Sequence, residues 1–165
     1  KRSDTVLIKI TVISLGKLKE GYLREACAEY QKRLSRYCDL KITELAPVSL
    51  SENPSGSQIE TALKREAAEI LKKIPAGAFT AALCVEGDML SSEGLARKTG
   101  ELAAGGRSLC FIIGSSYGLA PEIKQRADLK LSLSKMTFPH QLFRVMLLEQ
   151  IYRAFKINEG SAYHK

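Results

Sequence analysis

The sequence predicts an α/β fold in which helices cover both faces of a mainly parallel sheet. Three observations support this class. Five apolar, β-branched runs alternate with five segments of helical periodicity, the order typical of parallel sheets. The 165 residues, 45% hydrophobic and 26% charged, have the size and composition of one globular domain with a real core. No internal repeat, low-complexity tract or long linker interrupts the alternation, so a single domain is expected.

The first half of the chain is predicted to contain two strands and two helices. Residues 6–15 are β-branched and mostly apolar up to a glycine, which predicts a buried strand. Apolar residues spaced three and four apart predict an amphipathic helix over residues 20–37, and residues 40–45 form the next strand. Two prolines, a glycine and several serines make residues 46–57 a loop, after which residues 58–74 are helical in pattern.

The second half continues the alternation and ends in a helix that is apolar on nearly every side. A serine or a proline stands at the start of each of its three helices, as helix N-termini favour. So apolar a last helix is expected to be buried or to form a subunit interface. The predicted strands cover residues 79–85, 109–113 and 129–133, and the predicted helices cover residues 91–104, 121–127 and 140–157.

The charge balance favours a polyanionic partner. The formal net charge is +7, and it is +6 without the first five residues. A surplus of this kind attracts nucleic acids. Most basic residues of the first two helices alternate with glutamate, however, so solvated helix faces explain them equally well.

The cysteine and histidine content argues against a metal centre. Four cysteines without a Cys-x-x-Cys motif, and only two histidines, make a zinc site unexpected. Cys84 and Cys110 lie in apolar strand runs, as small core residues of a reduced protein do. No apolar run approaches the roughly 20 residues needed to span a membrane. The N-terminus has no signal-peptide pattern, so a cytoplasmic location is expected.

The loop before the last helix is the strongest candidate for a ligand site. It follows the fifth strand, and open α/β sheets bind ligands at the carboxyl ends of their strands. Pro139 marks the helix start, and the helix dipole is expected to keep His140 neutral, which suits a base or a donor. A capping or packing role for His140 stays equally open. Arg144, one turn on, needs an anionic partner, either Glu149 or a group from outside.

Two further strand ends are expected at the same edge of the sheet. The third strand closes on Gly87 and the fourth on Gly114, so a ligand can approach the backbone closely. Neither end is a Gly-x-Gly-x-x-Gly fingerprint or a P-loop. Three convergent loops suit an adenosine-like ligand, whose ring needs apolar slots. The side chains that can form these slots, or belong to the core instead, are Leu83, Ile113, Leu133, Met136 and Phe138.

Several segments resemble the RlmH family of SPOUT methyltransferases. The most specific are residues 134–141 (SKMTFPHQ), 144–154 (RVMLLEQIYRA) and 162–165 (AYHK), and residues 9–17, 87–94 and 112–114 agree with the same family. The resemblance covers residues 9–165, which are expected to form a single methyltransferase domain. Residues 1–8 fall outside it and are expected to be an extension or an expression remnant.

The resemblance implies properties that periodicity does not show. The fold would be a SPOUT-type α/β knot, a C-terminal trefoil knot in which the end of the chain threads through a loop. The protein would be a homodimer, in agreement with its apolar last helix. Its cofactor would be S-adenosylmethionine. The reaction would methylate N3 of a pseudouridine in the 23S rRNA of the ribosome.

By the same resemblance, the cofactor contacts fall on the three loops already described. The matching positions are Leu83, Gly114, Leu133, Ser134, Lys135, Met136, Thr137 and Phe138. The family pattern often has a second glycine directly after Gly114, where this chain has Ser115. The substitution is expected to alter the backbone slightly without abolishing binding.

The polar positions that the family places near the substrate match six residues. They are His140, Arg144, Tyr152, Arg153, Tyr163 and His164. The proton on N3 must leave, and either histidine could accept it or order a water that does. Either arginine could hold a phosphate or stabilise charge on a base carbonyl. The tail with Tyr163 and His164 is expected to complete the site of the partner subunit.

Two other functions stay open on the sequence alone. A non-enzymatic ribosome- or RNA-binding module would explain the charge and the loops, but not the Thr-Phe-Pro-His and Tyr-His-Lys segments. A SPOUT methyltransferase that acts on tRNA would share the fold. The sequence has no appended RNA-binding module, so recognition is expected to rest on the dimer surface and its basic residues. That arrangement fits a folded ribosome better than a naked RNA.

Overall fold

A computed structural model describes residues 6–165 of the chain. The expectation for residues 1–5 therefore lies outside the described residues. Within the described range, Ile8 is the first residue of the first strand and pairs with Cys38 of the second.

Five strands alternate with five helices over the described residues. The strands are β1 (Ile8–Leu15), β2 (Cys38–Leu45), β3 (Phe79–Met89), β4 (Leu109–Ile113) and β5 (Leu129–Ser132). The helices are α1 (Gly21–Leu34), α2 (Gly56–Lys73), α3 (Ser92–Ala104), α4 (Pro121–Arg126) and α5 (His140–Asn158). The alternation is as predicted, and every boundary except the end of β3 lies within three residues of the predicted one. No helix of residues 6–165 has the length and hydropathy of a membrane span.

The strands form one parallel sheet in the order β2-β1-β4-β3-β5. All five residues of β4 are buried, because helices cover the sheet on both sides. The predicted α/β class is confirmed. Since β4, β3 and β5 are neighbours and parallel, their carboxyl ends lie side by side, which brings the three predicted loops together.

Helices α1, α3 and α5 pack on one face of the sheet, and α2 and α4 pack on the other. Alternate residues of β4 point to opposite faces, so Phe111 joins the first core and Ile112 the second. Helix α5 contributes four buried apolar residues to the first core: Leu147, Leu148, Ile151 and Ala154. Much of its apolar surface is therefore used within the single chain.

Strand β3 is longer than predicted because a bulge carries it past the expected end. Its register with β5 shifts between Leu83 and Asp88. A Cβ atom on Gly87 would lie 2.7 Å from the carbonyl carbon of Lys130, so only glycine fits there. The interpretation of Gly87 as the close of the strand is wrong: β3 pairs with β5 again at Asp88 and Met89. The bulged residues 84–87 are released from the ladder, at the edge where the loops meet.

Candidate active site

A cavity of about 670 Å³ opens at the carboxyl ends of β3, β4 and β5. Its volume lies within the ~300–1,000 Å³ typical of small-molecule sites, and its position is where open α/β sheets bind ligands. The bulge of β3, the loop after β4, the loop after β5 and the start of α5 form its walls.

Most of the positions predicted to contact a cofactor line this cavity. They are Leu83, Gly114, Leu133, Ser134, Met136, Thr137 and Phe138. Lys135 is the exception, since its side chain is exposed and does not reach the lining. The cavity also takes in residues that sequence reasoning did not select, among them Glu86, Ser115 and Lys124.

The loop after β4 is a tight turn that needs glycine at both ends. The Gly118 amide donates to the Ser115 carbonyl at 2.9 Å, and Gly118 has a φ of 84°. A Cβ atom on Gly114 would lie 2.4 Å from the Gly118 carbonyl oxygen. The turn therefore presents bare backbone to the cavity, as a close-fitting ligand requires.

The loop after β5 is held by serine hydroxyls and offers apolar side chains to the cavity. The Ser132 hydroxyl donates to the Ser134 carbonyl at 2.9 Å, and the Ser134 hydroxyl accepts from the Met136 amide at 3.0 Å. These bonds fold the loop on itself. Met136 is 75% exposed and Phe138 36% exposed, so both side chains line the cavity without being packed into the core. Such surfaces suit an aromatic or aliphatic ligand group.

An ion pair borders the cavity on the β3 side. The Lys124 ammonium, from the short helix α4, bonds to the Glu86 carboxylate on the bulge of β3. This contact holds the pKa of Glu86 below its ordinary value. The pair links α4 to β3 across the mouth of the cavity, and no local pattern in the sequence marks it.

His140 is the first residue of α5 and lines the cavity. Burial lowers its pKa below the ordinary 6.5, and the positive charges of Arg144 and Lys19 lower it further. The imidazole is therefore neutral at pH 7. The neutral state was predicted from the helix dipole; burial is its largest cause here. Within residues 6–165, no hydrogen bond occupies either ring nitrogen, so one of them is free to accept a proton.

Arg144 lies beneath the cavity and is 4% exposed. Its guanidinium pairs with Glu44 at 2.8 Å and donates to the Ser14 hydroxyl at 3.1 Å and the Gly16 carbonyl at 3.0 Å. Of the two expected partners, Glu149 is wrong, and the anionic partner is Glu44 of β2, outside the helix. Arg144 fastens α5 to the carboxyl ends of β1 and β2, and its guanidinium is not on the cavity wall.

A second polar cluster joins the other half of α5 to the C-terminal tail. Arg153 pairs with Glu149 at 2.7 Å and stacks on the Tyr163 ring, 4.8 Å from its centroid. The Tyr163 hydroxyl donates to Glu149 at 3.2 Å. His164 lies 3.1 Å from Arg153 through Nδ1 and 2.7 Å from Glu93 through Nε2. The tail is thereby bound to both α5 and α3.

The neighbours of His164 fix its tautomer. A guanidinium only donates, so Nδ1 must accept from Arg153, and Nε2 carries the proton that is donated to Glu93. Both ring nitrogens are engaged. His164 in this arrangement has no free acceptor, in contrast to His140.

Tyr152 supports the tail from below rather than lining the main cavity. Its ring meets the Tyr163 ring edge-on at 5.1 Å and the Tyr30 ring at 6.2 Å. A smaller cavity of about 270 Å³ lies on the same side of α5 and includes Leu133 and Glu149. Leu133 lines both cavities, whereas Tyr152, Arg153, Tyr163 and His164 line neither.

The described residues contain no group of three or more His, Cys, Asp or Glu side chains that could hold a metal ion. The polar groups around the main cavity are instead backbone groups, hydroxyls, one neutral imidazole and the paired Lys124 and Glu86. Such a set suits an organic ligand.

The chain is similar to known proteins over nearly its whole length. The family model described as "Predicted SPOUT methyltransferase" matches residues 8–164. The ribosomal RNA large subunit methyltransferase H of Bifidobacterium adolescentis is 54% identical, and that of Clostridium kluyveri 50% identical. Each match spans 159 residues, 96% of this chain and 100% of the relative.

A solved structure has the same fold. The methylase family protein from Neisseria gonorrhoeae superposes with a TM-score of 0.54 at 14% sequence identity. The match covers 92% of this chain and 84% of that one.

Proposed function

The chain belongs to the SPOUT methyltransferase family, and we propose that it methylates large-subunit ribosomal RNA with S-adenosylmethionine as the methyl donor. The observation that carries the proposal is the cavity at the carboxyl ends of β3, β4 and β5, beside a neutral His140. The relatives that share about half of its sequence are named as ribosomal RNA large subunit methyltransferases. The target within this class is N3 of a pseudouridine in 23S rRNA.

The cavity suits an adenosine-containing cofactor. Leu83, Met136 and Phe138 supply apolar surface for a purine ring, and the turn from Gly114 to Gly118 lets backbone groups reach its polar edges. The cofactor, when bound, supplies a methyl group activated by its sulfonium. The chain's own residues then have to position the RNA base and remove its proton.

His140 is the residue that accepts the proton. The N3 proton of a uracil-like ring must leave, and an efficient base has its pKa near or below the working pH while staying unprotonated. Burial and the positive charge of Arg144 lower the pKa of His140 below its ordinary value, so its imidazole is unprotonated at pH 7. Both ring nitrogens of His164 are already bonded, so this residue offers no free acceptor.

The tail cluster positions the substrate rather than reacting with it. Arg153, Tyr163 and His164 contact one another or Glu149, so the tail is held against α5. Arg153 is 24% exposed, so part of its guanidinium can meet a phosphate or a base carbonyl. Tyr152 acts by packing under Tyr163. Arg144 is also a positioning residue, because it is buried and holds the start of α5 on β1 and β2.

The assembly in this proposal is a homodimer that places the tail of one copy at the site of the other. Leu142 of α5 is 37% exposed, and its neighbours Val145 and Met146 are only partly buried in the single chain. A second copy would cover these apolar side chains. The chain end is expected to thread a loop as a trefoil knot, and the site of action is the cytoplasmic ribosome. The net charge of +7 supports an RNA partner.

Methyl transfer from labelled S-adenosylmethionine tests the proposal. Ribosomes, free 23S rRNA and tRNA are offered in parallel, with the ribosomes taken from cells that lack this protein. We expect label only in the ribosomal sample, at a pseudouridine. Label in tRNA with equal efficiency would replace the proposed substrate by tRNA, and no label in any sample would overturn the proposed reaction.

A further inference from the structure

We propose that Glu66 is a positioning residue for the turn after β4, residues 114–118, and acts through the hydroxyl of Ser115. We call this turn the cofactor loop. The proposal rests on the proposed function of the main cavity. Glu66 lies on α2, on the opposite face of the sheet from α5, and is only 5% exposed. A buried carboxyl group is costly unless its oxygens are hydrogen-bonded. The hydrogen-bond partners of Glu66 therefore indicate its role.

Both carboxyl oxygens of Glu66 accept hydrogen bonds from segments outside its own helix. Oε1 accepts from the Ser115 hydroxyl at 3.2 Å, and Oε2 accepts from the Val48 amide at 2.9 Å. Ser115 belongs to the turn after β4, and Val48 belongs to the segment between β2 and α2. One side chain thus ties the cofactor loop to a segment that follows a different strand.

The turn that Glu66 holds is the one that lines the main cavity. Ser115 and Gly118 form an isolated backbone bridge, and the Gly118 amide donates to the Ser115 carbonyl. Fixing the Ser115 side chain therefore fixes the backbone from Gly114 to Gly118. Cofactor binding depends on that backbone, because Gly114 leaves room for close approach only while the turn keeps its shape.

Ser115 gives the turn a side chain that can be anchored. A glycine at this position would have no side chain to anchor and would lose more conformational freedom when the turn is ordered. The serine instead donates a hydrogen bond to a buried acceptor.

The space behind the turn makes the anchor necessary. A second cavity of about 220 Å³ lies between the turn and the segment after β2, and Glu66, Ser115 and Tyr117 line it. Side-chain packing does not fill this side of the turn, so the hydrogen bonds of Glu66 resist a shift into the gap. A displacement of about 1 Å can slow a reaction by ~100-fold.

Binding of S-adenosylhomocysteine, measured by titration calorimetry, tests the proposal on the full chain. We expect Ser115→Ala and Glu66→Ala each to weaken binding about three- to tenfold, since each leaves a buried polar group without a partner. The double variant should bind about as weakly as Glu66→Ala, because Ser115→Ala removes only one of the two hydrogen bonds that Glu66→Ala removes. Glu69→Ala is the matched control: Glu69 lies three residues along α2, is exposed and pairs with Lys72, so no change is expected.

Glu66→Gln separates positioning from mere support of the fold. Its amide can accept from the Val48 amide and donate to the Ser115 hydroxyl, so binding should stay within about twofold of the unchanged protein. Hydrogen exchange at residues 114–118 gives a second readout. It should be faster in Ser115→Ala and Glu66→Ala and unchanged in Glu66→Gln and Glu69→Ala.

The outcomes distinguish this inference from the function on which it rests. If the unchanged protein binds and both alanine variants bind equally well, the role of Glu66 is refuted and the proposed function stands. If the unchanged protein does not bind, the proposed cofactor is wrong, and the exchange rates alone decide whether Glu66 holds the turn. Should Glu66→Ala fail to fold, Ser115→Ala and Glu66→Gln still give the comparison.

Discussion

Helix α5 carries two arginines that each pair with a glutamate, and the two arginines differ in burial. Arg144 meets Glu44 at 2.8 Å with 5% of its side chain exposed, and Arg153 meets Glu149 at 2.7 Å with 24% exposed. The distances are nearly equal. Arg144 also donates to Ser14 of β1 and to Gly16 directly after it, whereas Arg153 contacts the C-terminal tail through His164.

The contrast shows how the same chemistry serves two purposes on one helix. A buried pair is fixed in place, because breaking it leaves a charge without solvent or partner. In the second pair the arginine side chain is 24% exposed and the glutamate side chain 18% exposed, so water reaches both partners and a rearrangement costs less. The first part of α5, around His140 and Arg144 (the inner half), thus holds His140 neutral in one position. The later part, around Glu149 and Arg153 (the outer half), holds the C-terminal tail through contacts that can rearrange. The predictions below test this division, starting with the largest expected effect.

Replacing His140 should affect turnover more than any other single change. We expect His140→Ala to lower the rate of methyl transfer about 10²–10⁴-fold, the range typical for loss of a general base. Affinity for S-adenosylhomocysteine should change only a few-fold, because the cavity walls remain. Single-turnover rates and calorimetry separate the two effects. An alanine variant that keeps full turnover would remove His140 from the reaction and return His164 to consideration.

Replacing Arg144 should lower the free energy of unfolding more than replacing Arg153. Arg144→Leu leaves Glu44 without its partner, and we expect the free energy of unfolding to fall by about 3 kcal/mol, near the lower limit for buried pairs because Glu44 itself is partly exposed. Arg153→Leu is the matched control and should lose no more than about 1 kcal/mol. Urea unfolding measures both. Equal losses would show that burial does not divide the helix as argued.

The features that the sequence predicted correctly are local or repeat along the chain. Alternating apolar runs predicted the order of strands and helices. The loops after parallel strands predicted the apolar residues that line the cavity, and the family resemblance supplied the other lining positions. The contacts between elements that are far apart in the sequence were not predictable. Arg144 and Glu44 are 100 residues apart, and the helix itself offered Glu149 as the nearer acid.

The unpredicted parts of the site share the same physical cause. Ser115 meets Glu66 across 49 residues, and His164 meets Glu93 across 71. Each contact depends on how the helices pack on the sheet, and no local sequence pattern predicts that packing. The bulge at Gly87 was missed for another reason, since its neighbours have the composition of an ordinary strand end and only the backbone of β5 shows that glycine is required.

A change in the tail should affect turnover moderately and stability very little. We expect His164→Asn to lower methyl transfer about tenfold, because Tyr163 and Arg153 lose a neighbour that orders them for the substrate. The free energy of unfolding should change by less than about 1 kcal/mol, since the contacts are partly exposed. Glu93→Gln, which keeps an acceptor for His164, is the control and should stay near the rate of the unchanged protein. A tail variant that unfolds the chain would show that the outer half of α5 is as rigid as the inner half.

The smallest expected effect is a pH dependence of stability that comes from His140 alone. Its pKa in the folded chain lies below the ordinary 6.5, through burial first and then through Arg144 and Lys19. The unfolded chain therefore takes up a proton at higher pH than the folded one. The stabilisation is fully present above pH 6.5 and is lost as the pH falls through the lowered pKa. His140→Gln cannot titrate, so the difference in unfolding free energy between the two proteins should change over this range and stay constant above it. If the difference in unfolding free energy is the same at every pH, the surroundings of His140 do not lower its pKa. The inner half of α5 then does not keep this residue available as a base.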